Sequence, residues 1–227
     1  RSIDAALTVV GPEAPLVAGV VDAFRAEGRA IVGPNAAAAQ LEGSKVFAKR
    51  FFVEHDIPTA GYVVAATPEE ARAALDRFAF PLVLKADGLA AGKGVIIAHD
   101  RAEADAALAT LKYPLVVEEF LTGEEVSFIA LCDGKNVVPL APTQDHKAVF
   151  DNDTGPNTGG MGAYCDSRIL TADQTREILH RVIYPTVAAT GFTGFLYAGL
   201  MMTASGPKVL EYNVRLGDPE TQPLMHR

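Results

Sequence analysis

Residues 85–95 read Lys-Ala-Asp-Gly-Leu-Ala-Ala-Gly-Lys-Gly-Val, and no other stretch constrains the chain as strongly. An apolar run at 81–84 delivers Lys85 to a strand end. A loop holding Gly88, Gly92, Lys93 and Gly94 follows, and a second apolar run at 95–98 leaves it. Strand, glycine loop and strand can fold backbone N–H groups and cations over a polyphosphate, because glycine permits positive φ and close backbone approach. Two better-known phosphate loops do not fit. Gly88 to Lys93 is one residue short of G-x-x-x-x-G-K-[ST], and Gly94 stands where a magnesium-binding Ser or Thr belongs. No G-x-G-x-x-G opens a helix, so a dinucleotide fingerprint is excluded. Taken alone, the loop also fits an ordinary flexible hairpin.

Composition narrows the class. The chain has 227 residues, 49% hydrophobic and 21% charged, which suits a globular protein with a real core of one large domain or a few small lobes. Its net charge of −8 argues against a nucleic-acid footprint, so any anionic ligand must be met by local cations. No apolar run is long enough to span a bilayer, and no secretory signal is present. Cys132 and Cys165 have no disulfide or zinc spacing, and the five histidines are scattered, so a reducing cytoplasm is expected. The chain opens on a strand pattern without a start methionine and stops just after a dense polar segment; it reads as a piece of something longer.

The periodicity predicts a strand over 3–10, a helix over 16–27 and a strand over 30–32, the grammar of an open α/β sheet. Asn35 caps a helix expected to run to about 55. From residue 60 the pattern is α+β: a strand at 62–65, a helix opened by Thr67-Pro68-Glu69-Glu70, the glycine-loop hairpin, a helix from Asp100 and a strand at 116–120. Strands at 126–132 and 137–141 precede a long Gly-, Asp- and Asn-rich loop at 142–162, and loops of that length are usually functional. A helix over 171–190 and strands at 196–202 and 209–214 complete the pattern.

On the last strand, Glu211, Asn213 and Arg215 alternate with Tyr212 and Val214, so the three polar groups share a face. A carboxylate and a carboxamide oxygen suit Mg²⁺, which takes few protein oxygens and fills its shell with phosphate and water. Arg215 beyond them suits a phosphate or carboxylate. An amphipathic strand with a solvated polar face fits the same pattern. A second cluster, Glu118-Glu119-Phe120-Leu121 followed by Gly123-Glu124-Glu125, fits either a nucleotide hinge or a strand with an acidic turn.

The order of these elements resembles the ATP-grasp fold. Six blocks (residues 11–16, 40–45, 85–95, 153–164, 193–200 and 213–223) resemble the phosphoribosylamine–glycine ligase, or glycinamide ribonucleotide synthetase, family over essentially the whole chain. The fold so implied is mixed α/β and α+β: two α+β lobes around a nucleotide cleft, preceded by the end of an open α/β domain. The expected partition is 1–35 for that N-terminal piece, 59–119 for the small lobe, and 36–58 with 120–227 for the central lobe.

The resemblance also implies roles. Lys45 and Lys85 contact ATP phosphates, and the loop with Gly88, Gly92, Lys93 and Gly94 closes over them. Glu118, Phe120 and Leu121 form the adenine hinge, and Glu125 holds the ribose. Glu211 and Asn213 bind Mg²⁺ or Mn²⁺. Arg215, Gly217 and Asp218 sit near the acyl phosphate and glycine, with Lys85, Arg215 and Asp218 as the catalytic set. Asp145, His146, Lys147, Asp153, Gly159 and Gly160 line the acceptor side. The preceding strand, Tyr197-Ala198-Gly199-Leu200, offers no second metal carboxylate, and the family's glycine-rich N-terminal segment does not occur in the sequence.

The implied activity is ATP-dependent joining of glycine to 5-phosphoribosylamine through glycyl phosphate, in purine synthesis, by a cytoplasmic monomer without nucleic-acid or membrane partners. Two alternatives stay open: another ATP-grasp carboxylate–amine ligase, or a nucleotide-binding piece without turnover. Plainer roles are expected elsewhere. Lys49 and Arg50 belong on a solvated helix face, Cys132 in the core, Met201 and Met202 in packing, and His55, His99 and His180 at the surface.

Overall fold

The structure is a computed structural model that describes residues 5–89, 94–146, 148–151, 154–158 and 160–226. The expected positions Gly92, Lys93, Lys147, Asp153 and Gly159 lie outside the described residues. The chain opens with β1 (Thr8–Val9) and β2 (Ile31–Val32), paired in parallel around helices α1 (Glu13–Val17) and α2 (Val20–Ala26). One helix was expected across 16–27. It is interrupted at Gly19, whose φ of 85° no continuing helix accepts.

A second expected single helix is also two. Helices α3 (Ala36–Gly43) and α4 (Lys45–Glu54) flank Ser44, whose backbone is extended at φ −142°, ψ 120°. The Asn35 side chain caps α3 by accepting from the Ala38 N–H, and the Ser44 hydroxyl caps α4 by accepting from Phe47. Serine competes for backbone donors with its own oxygen, which ends one helix and starts the next.

The small lobe is an antiparallel four-stranded sheet in the order β3 (Tyr62–Ala65), β6 (Leu115–Glu119), β4 (Leu82–Ala86), β5 (Val95–Ala98). Helices α5 (Pro68–Leu75) and α6 (Arg101–Thr110) cover it. Leu75, Leu82, Leu84, Leu108 and Leu115 form its own core. The glycine loop joins β4 to β5, and its stems close through the Ala86 N–H to the Gly94 carbonyl at 2.8 Å.

The large sheet is built on β7 (Glu124–Asp133), β13 (Thr193–Thr203) and β14 (Gly206–Asn213), with β13 paired to both neighbours. Strand β8 (Val137–Pro139) pairs with β7. The stretch 142–162, expected as one loop, contains β9 (Thr143–Asp145), β10 (Ala148–Phe150) and β11 (Thr154–Asn157). These strands are too short to show alternation in sequence. Strand β9 pairs with β12 (Ala163–Cys165) at the sheet edge, while β10 and β11 form a separate hairpin.

Helices α7 (Ala172–Ile178) and α8 (Tyr184–Thr190) are joined by a π-helical turn at Leu179–Ile183, which ends two residues before Pro185. Proline has no N–H to give the preceding turn, so the ladder widens there. A last helix, α9 (Thr221–Met225), was not foreseen. The large core includes Leu16, Phe52, Phe128, Phe192 and Tyr212, so α1–α4 pack on the same sheet as the C-terminal elements. The chain crosses from small lobe to large at 120–123. A Cβ on Gly123 would run into the Met202 carbonyl, so only glycine lets the crossing lie this close to β13.

Candidate active site

The two lobes face each other across a cleft of about 920 Å³. It is lined by Lys45 and Lys49 of α4, by Lys85 of β4 and Gly88 of the glycine loop, and at the lobe crossing by Glu118, Phe120, Leu121 and Glu125. The opposite wall carries Asp145, His146, Glu211, Asn213, Arg215, Gly217 and Asp218. Every described residue of the expected site therefore lines one cleft except Gly94 and Gly160. Gly94 closes the loop stem, and Gly160 lies beside Pro219 and Asp145.

The centre of the cleft floor is a buried ion triad. Strand β6 carries Glu118, which is only 2% exposed. Its Oε1 lies 2.5 Å from Lys85 Nζ on β4, and its Oε2 pairs with Lys49 Nζ on α4. Lys85 Nζ also donates to the Leu210 carbonyl on β14 at 3.0 Å. Lys49 donates to Thr59 Oγ1 at 2.7 Å, and the Thr59 hydroxyl donates to the Val209 carbonyl, also at 2.7 Å. Two cations and one carboxylate therefore join three elements at the seam between lobes. Burial pulls the Lys49 ammonium below its usual range, opposed by Glu118. The expectation of a solvated Lys49 is thus corrected: it is 3% exposed. Lys49 stands one helical turn after Lys45, and that i, i+4 spacing is the sequence signal that could have found it. Arg50 is exposed, as expected.

Lys45 begins α4 and donates to the Gly88 carbonyl at 2.9 Å. Burial lowers its pKa, with Glu211 and Asp87 opposing. Strand β14 aims Glu211 and Asn213 into the cleft while Tyr212 and Val214 are buried beneath. The Tyr212 hydroxyl is satisfied below by Thr186 Oγ1 at 2.7 Å, which fixes the face that β14 presents. Glu211 and Asn213 supply two hard oxygens, a donor set that fits a magnesium ion completing its shell with phosphate and water. Among the described residues there is no group of three His, Cys, Asp or Glu placed for a metal.

Arg215 follows the end of β14 and is held on all sides. It contacts Glu42 Oε1 at 3.0 Å, Glu13 Oε2 at 3.5 Å, Asn213 Oδ1 at 3.3 Å and the Leu216 carbonyl at 3.1 Å. Glu42 Oε2 accepts from the Val214 N–H at 2.7 Å. Burial pushes the Glu42 carboxyl up to about 7, against the pull of Arg215. Neither Glu13 nor Glu42 was anticipated, since their contacts to Arg215 span most of the chain. A second unforeseen group lies under Gly217 and Asp218. Glu220 Oε1 accepts from Tyr197 Oη at 2.8 Å and Ser127 Oγ at 3.0 Å, all three being buried. A Cβ on Gly217 would strike the Glu220 carboxylate.

At the edge of the large sheet, β9 and β12 set His146 and Tyr164 in a stack with centroids 5.8 Å apart. Gln144 Nε2 donates to Glu124 Oε1 at 2.8 Å and to the Glu125 carbonyl at 3.0 Å, tying this edge to β7. Met201 lines the cleft, whereas Met202 packs against the large core. Cys132 is buried, as expected.

Known proteins share this fold. Residues 1–42 match the phosphoribosylglycinamide synthetase N domain, and residues 43–221 match the phosphoribosylglycinamide synthetase ATP-grasp (A) domain. A phosphoribosylamine–glycine ligase of Yersinia pestis is 56% identical, aligned over 100% of this chain and 56% of its own length. The Escherichia coli K12 protein of that name is 56% identical over 97% of the chain and 55% of its own. The chain thus spans about half the length of the curated relatives it matches. The crystal structure of the Thermotoga maritima phosphoribosylamine–glycine ligase superposes with a TM-score of 0.82 at 37% identity, covering 99% of this chain and 58% of that one. A Bacillus anthracis D-alanine–D-alanine ligase complexed with ATP shares the fold at a TM-score of 0.70 and 20% identity. With both family domains matched in order and the ATP-grasp fold in common, the chain belongs to the phosphoribosylglycinamide synthetase family.

Proposed function

We propose that this chain carries the ATP-binding and acyl-activating part of a phosphoribosylamine–glycine ligase. One observation supports it above the rest: Lys45, Lys85, Glu211, Asn213 and Arg215 converge on one cleft. In the proposed reaction a glycine carboxylate oxygen attacks the γ-phosphorus of ATP, giving glycyl phosphate and ADP. The amine of 5-phosphoribosylamine then attacks the acyl carbon. The C–O bond to phosphate breaks, the nitrogen loses a proton, and glycinamide ribonucleotide and phosphate leave.

Lys45 and Lys85 neutralise phosphate charge, and Arg215 orients the group being transferred. Phe120 and Leu121 flank the adenine, with Glu118 behind them, and Glu125 accepts from the ribose. Glu211 and Asn213 hold the divalent ion, Mg²⁺ or Mn²⁺, which would supply further charge neutralisation at the phosphates. Asp145 and His146 face the acceptor, and Gly217 and Asp218 lie beside glycine. The partition into 1–35, 59–119, and 36–58 with 120–227 belongs to this reading, as do a monomeric state and a cytoplasmic location. Among the described residues no helix is long and apolar enough to cross a membrane, and Cys132 and Cys165 are free thiols.

Calorimetric titration with Mg-ATP, beside Lys85→Ala and Glu125→Ala, tests the nucleotide reading. Binding weakened by both substitutions is expected, and phosphate release should then require glycine and phosphoribosylamine together. Phosphate release by Lys85→Ala at the wild-type rate would sink the assignment.

A further inference from the structure

We infer that Asp87 is a positioning residue: it latches the root of the glycine loop to the first turn of α4, across the seam between the lobes. Asp87 lies one residue beyond β4 and two beyond Lys85, so the two side chains leave the small lobe in the same direction. Its backbone N–H donates to the Pro114 carbonyl at 3.1 Å, which fixes it to its own lobe. Its side chain belongs to the other lobe. Oδ1 accepts from Ser44 Oγ at 2.9 Å and from the Val46 N–H at 3.0 Å.

The Val46 amide is one of the first-turn donors that a helix cannot satisfy internally, and a carboxylate there is favoured by the helix dipole as well. Ser44 links the two roles, since the same hydroxyl that donates to Asp87 accepts from Phe47 N–H at 3.0 Å. One residue on, Lys45 Nζ reaches back to the Gly88 carbonyl. Three hydrogen bonds thus join 44–46 to 87–88. The loop root cannot swing away without breaking them. Lys45 on α4 and Lys85 on β4, which come from different lobes, are thereby kept facing one cleft.

Asp87→Ala, Asp87→Asn and Ser44→Ala separate this role from simple packing. In the ligand-free protein, Asp87→Ala should raise hydrogen exchange at the Val46 amide at least about tenfold, because a hydrogen bond to a charged acceptor is lost. Asp87→Asn keeps an acceptor oxygen and should restore most of the protection. Mg-ATP affinity, the part of the test that rests on the proposed function, should fall about tenfold in Asp87→Ala and less in Asp87→Asn, with Ser44→Ala between wild type and Asp87→Ala. Unchanged exchange at Val46 in folded Asp87→Ala overturns the latch. Faster exchange with undiminished Mg-ATP affinity overturns the positioning role. If Asp87→Ala fails to fold, Ser44→Ala decides by the same two readouts. If wild type itself binds no Mg-ATP, the nucleotide reading falls while the exchange measurement still judges the latch.

Discussion

Lys85 Nζ lies 2.5 Å from Glu118 Oε1, and the other oxygen of that carboxylate is claimed by Lys49. One strand of the small lobe thus holds, through a single acid, a cation of its own sheet and a cation of the opposite lobe. Removing Lys49 would strip Glu118 Oε2 and Thr59 Oγ1 of their buried donor, and breaking a buried ion pair usually costs about 3–5 kcal/mol.

Lys49→Ala should therefore destabilise the protein by roughly 3 kcal/mol in urea denaturation, where a solvated lysine would change stability by less than about 0.5 kcal/mol. It should also weaken Mg-ATP binding, because Glu118 then draws on Lys85 alone and competes with the phosphates for that cation. A denaturation midpoint equal to wild type would contradict the burial argument.

Glu42 predicts a pH dependence. Burial raises its folded pKa from 4.5 to about 7. The folded protein then holds a proton that the unfolded chain has already released, so this group's contribution is complete below about pH 4.5 and is lost as pH rises through about 7. Relative to Glu42→Gln, wild type should lose up to about 3 kcal/mol between pH 4.5 and 8. Parallel stability curves for the two proteins across that window would show that Glu42 does not titrate this way.

Glu211→Gln keeps an oxygen but removes the charge. In Mg²⁺ titrations of ATP binding its midpoint should rise by about tenfold, and Asn213→Ala should shift in the same direction. An unchanged metal midpoint in both would exclude β14 as the metal face.

The two thiols should differ in reactivity. Cys132 is buried, and burial pushes its thiol up to about 12. A thiol-specific reagent in native buffer should modify Cys165 first, with Cys132 reacting only on unfolding, since the thiolate is the nucleophile. Mass spectrometry of labelled peptides reads both sites, and native labelling of Cys132 would count against the described packing.

What the sequence made legible follows from physical range. The hairpin of β4 and β5, the capped starts of α3, α5 and α7, and the alternation of Glu211 and Asn213 with Tyr212 and Val214 are local patterns. They appear where they were expected because spacing and capping act over a few residues. Ser44 misled because the alanines and leucine before it and the apolar period of 46–52 after it favour one continuous helix, while its hydroxyl favours a break. Strands β9 to β11 were missed because three or four residues carry no usable period. The partners of Arg215 were invisible for a different reason. Glu13 and Glu42 approach it only after the N-terminal helices dock on β14, and an ion pair spanning that separation leaves no local trace.

The two hydrophobic cores do not merge: one closes beneath the small sheet and the other beneath the large. Lysines, carboxylates, a threonine hydroxyl and main-chain carbonyls bridge the seam between them. Parting the lobes would therefore exchange buried polar contacts for water while leaving both cores closed. An opening of that kind carries a small heat-capacity change, so its equilibrium should drift little with temperature and respond chiefly to dissolved salt.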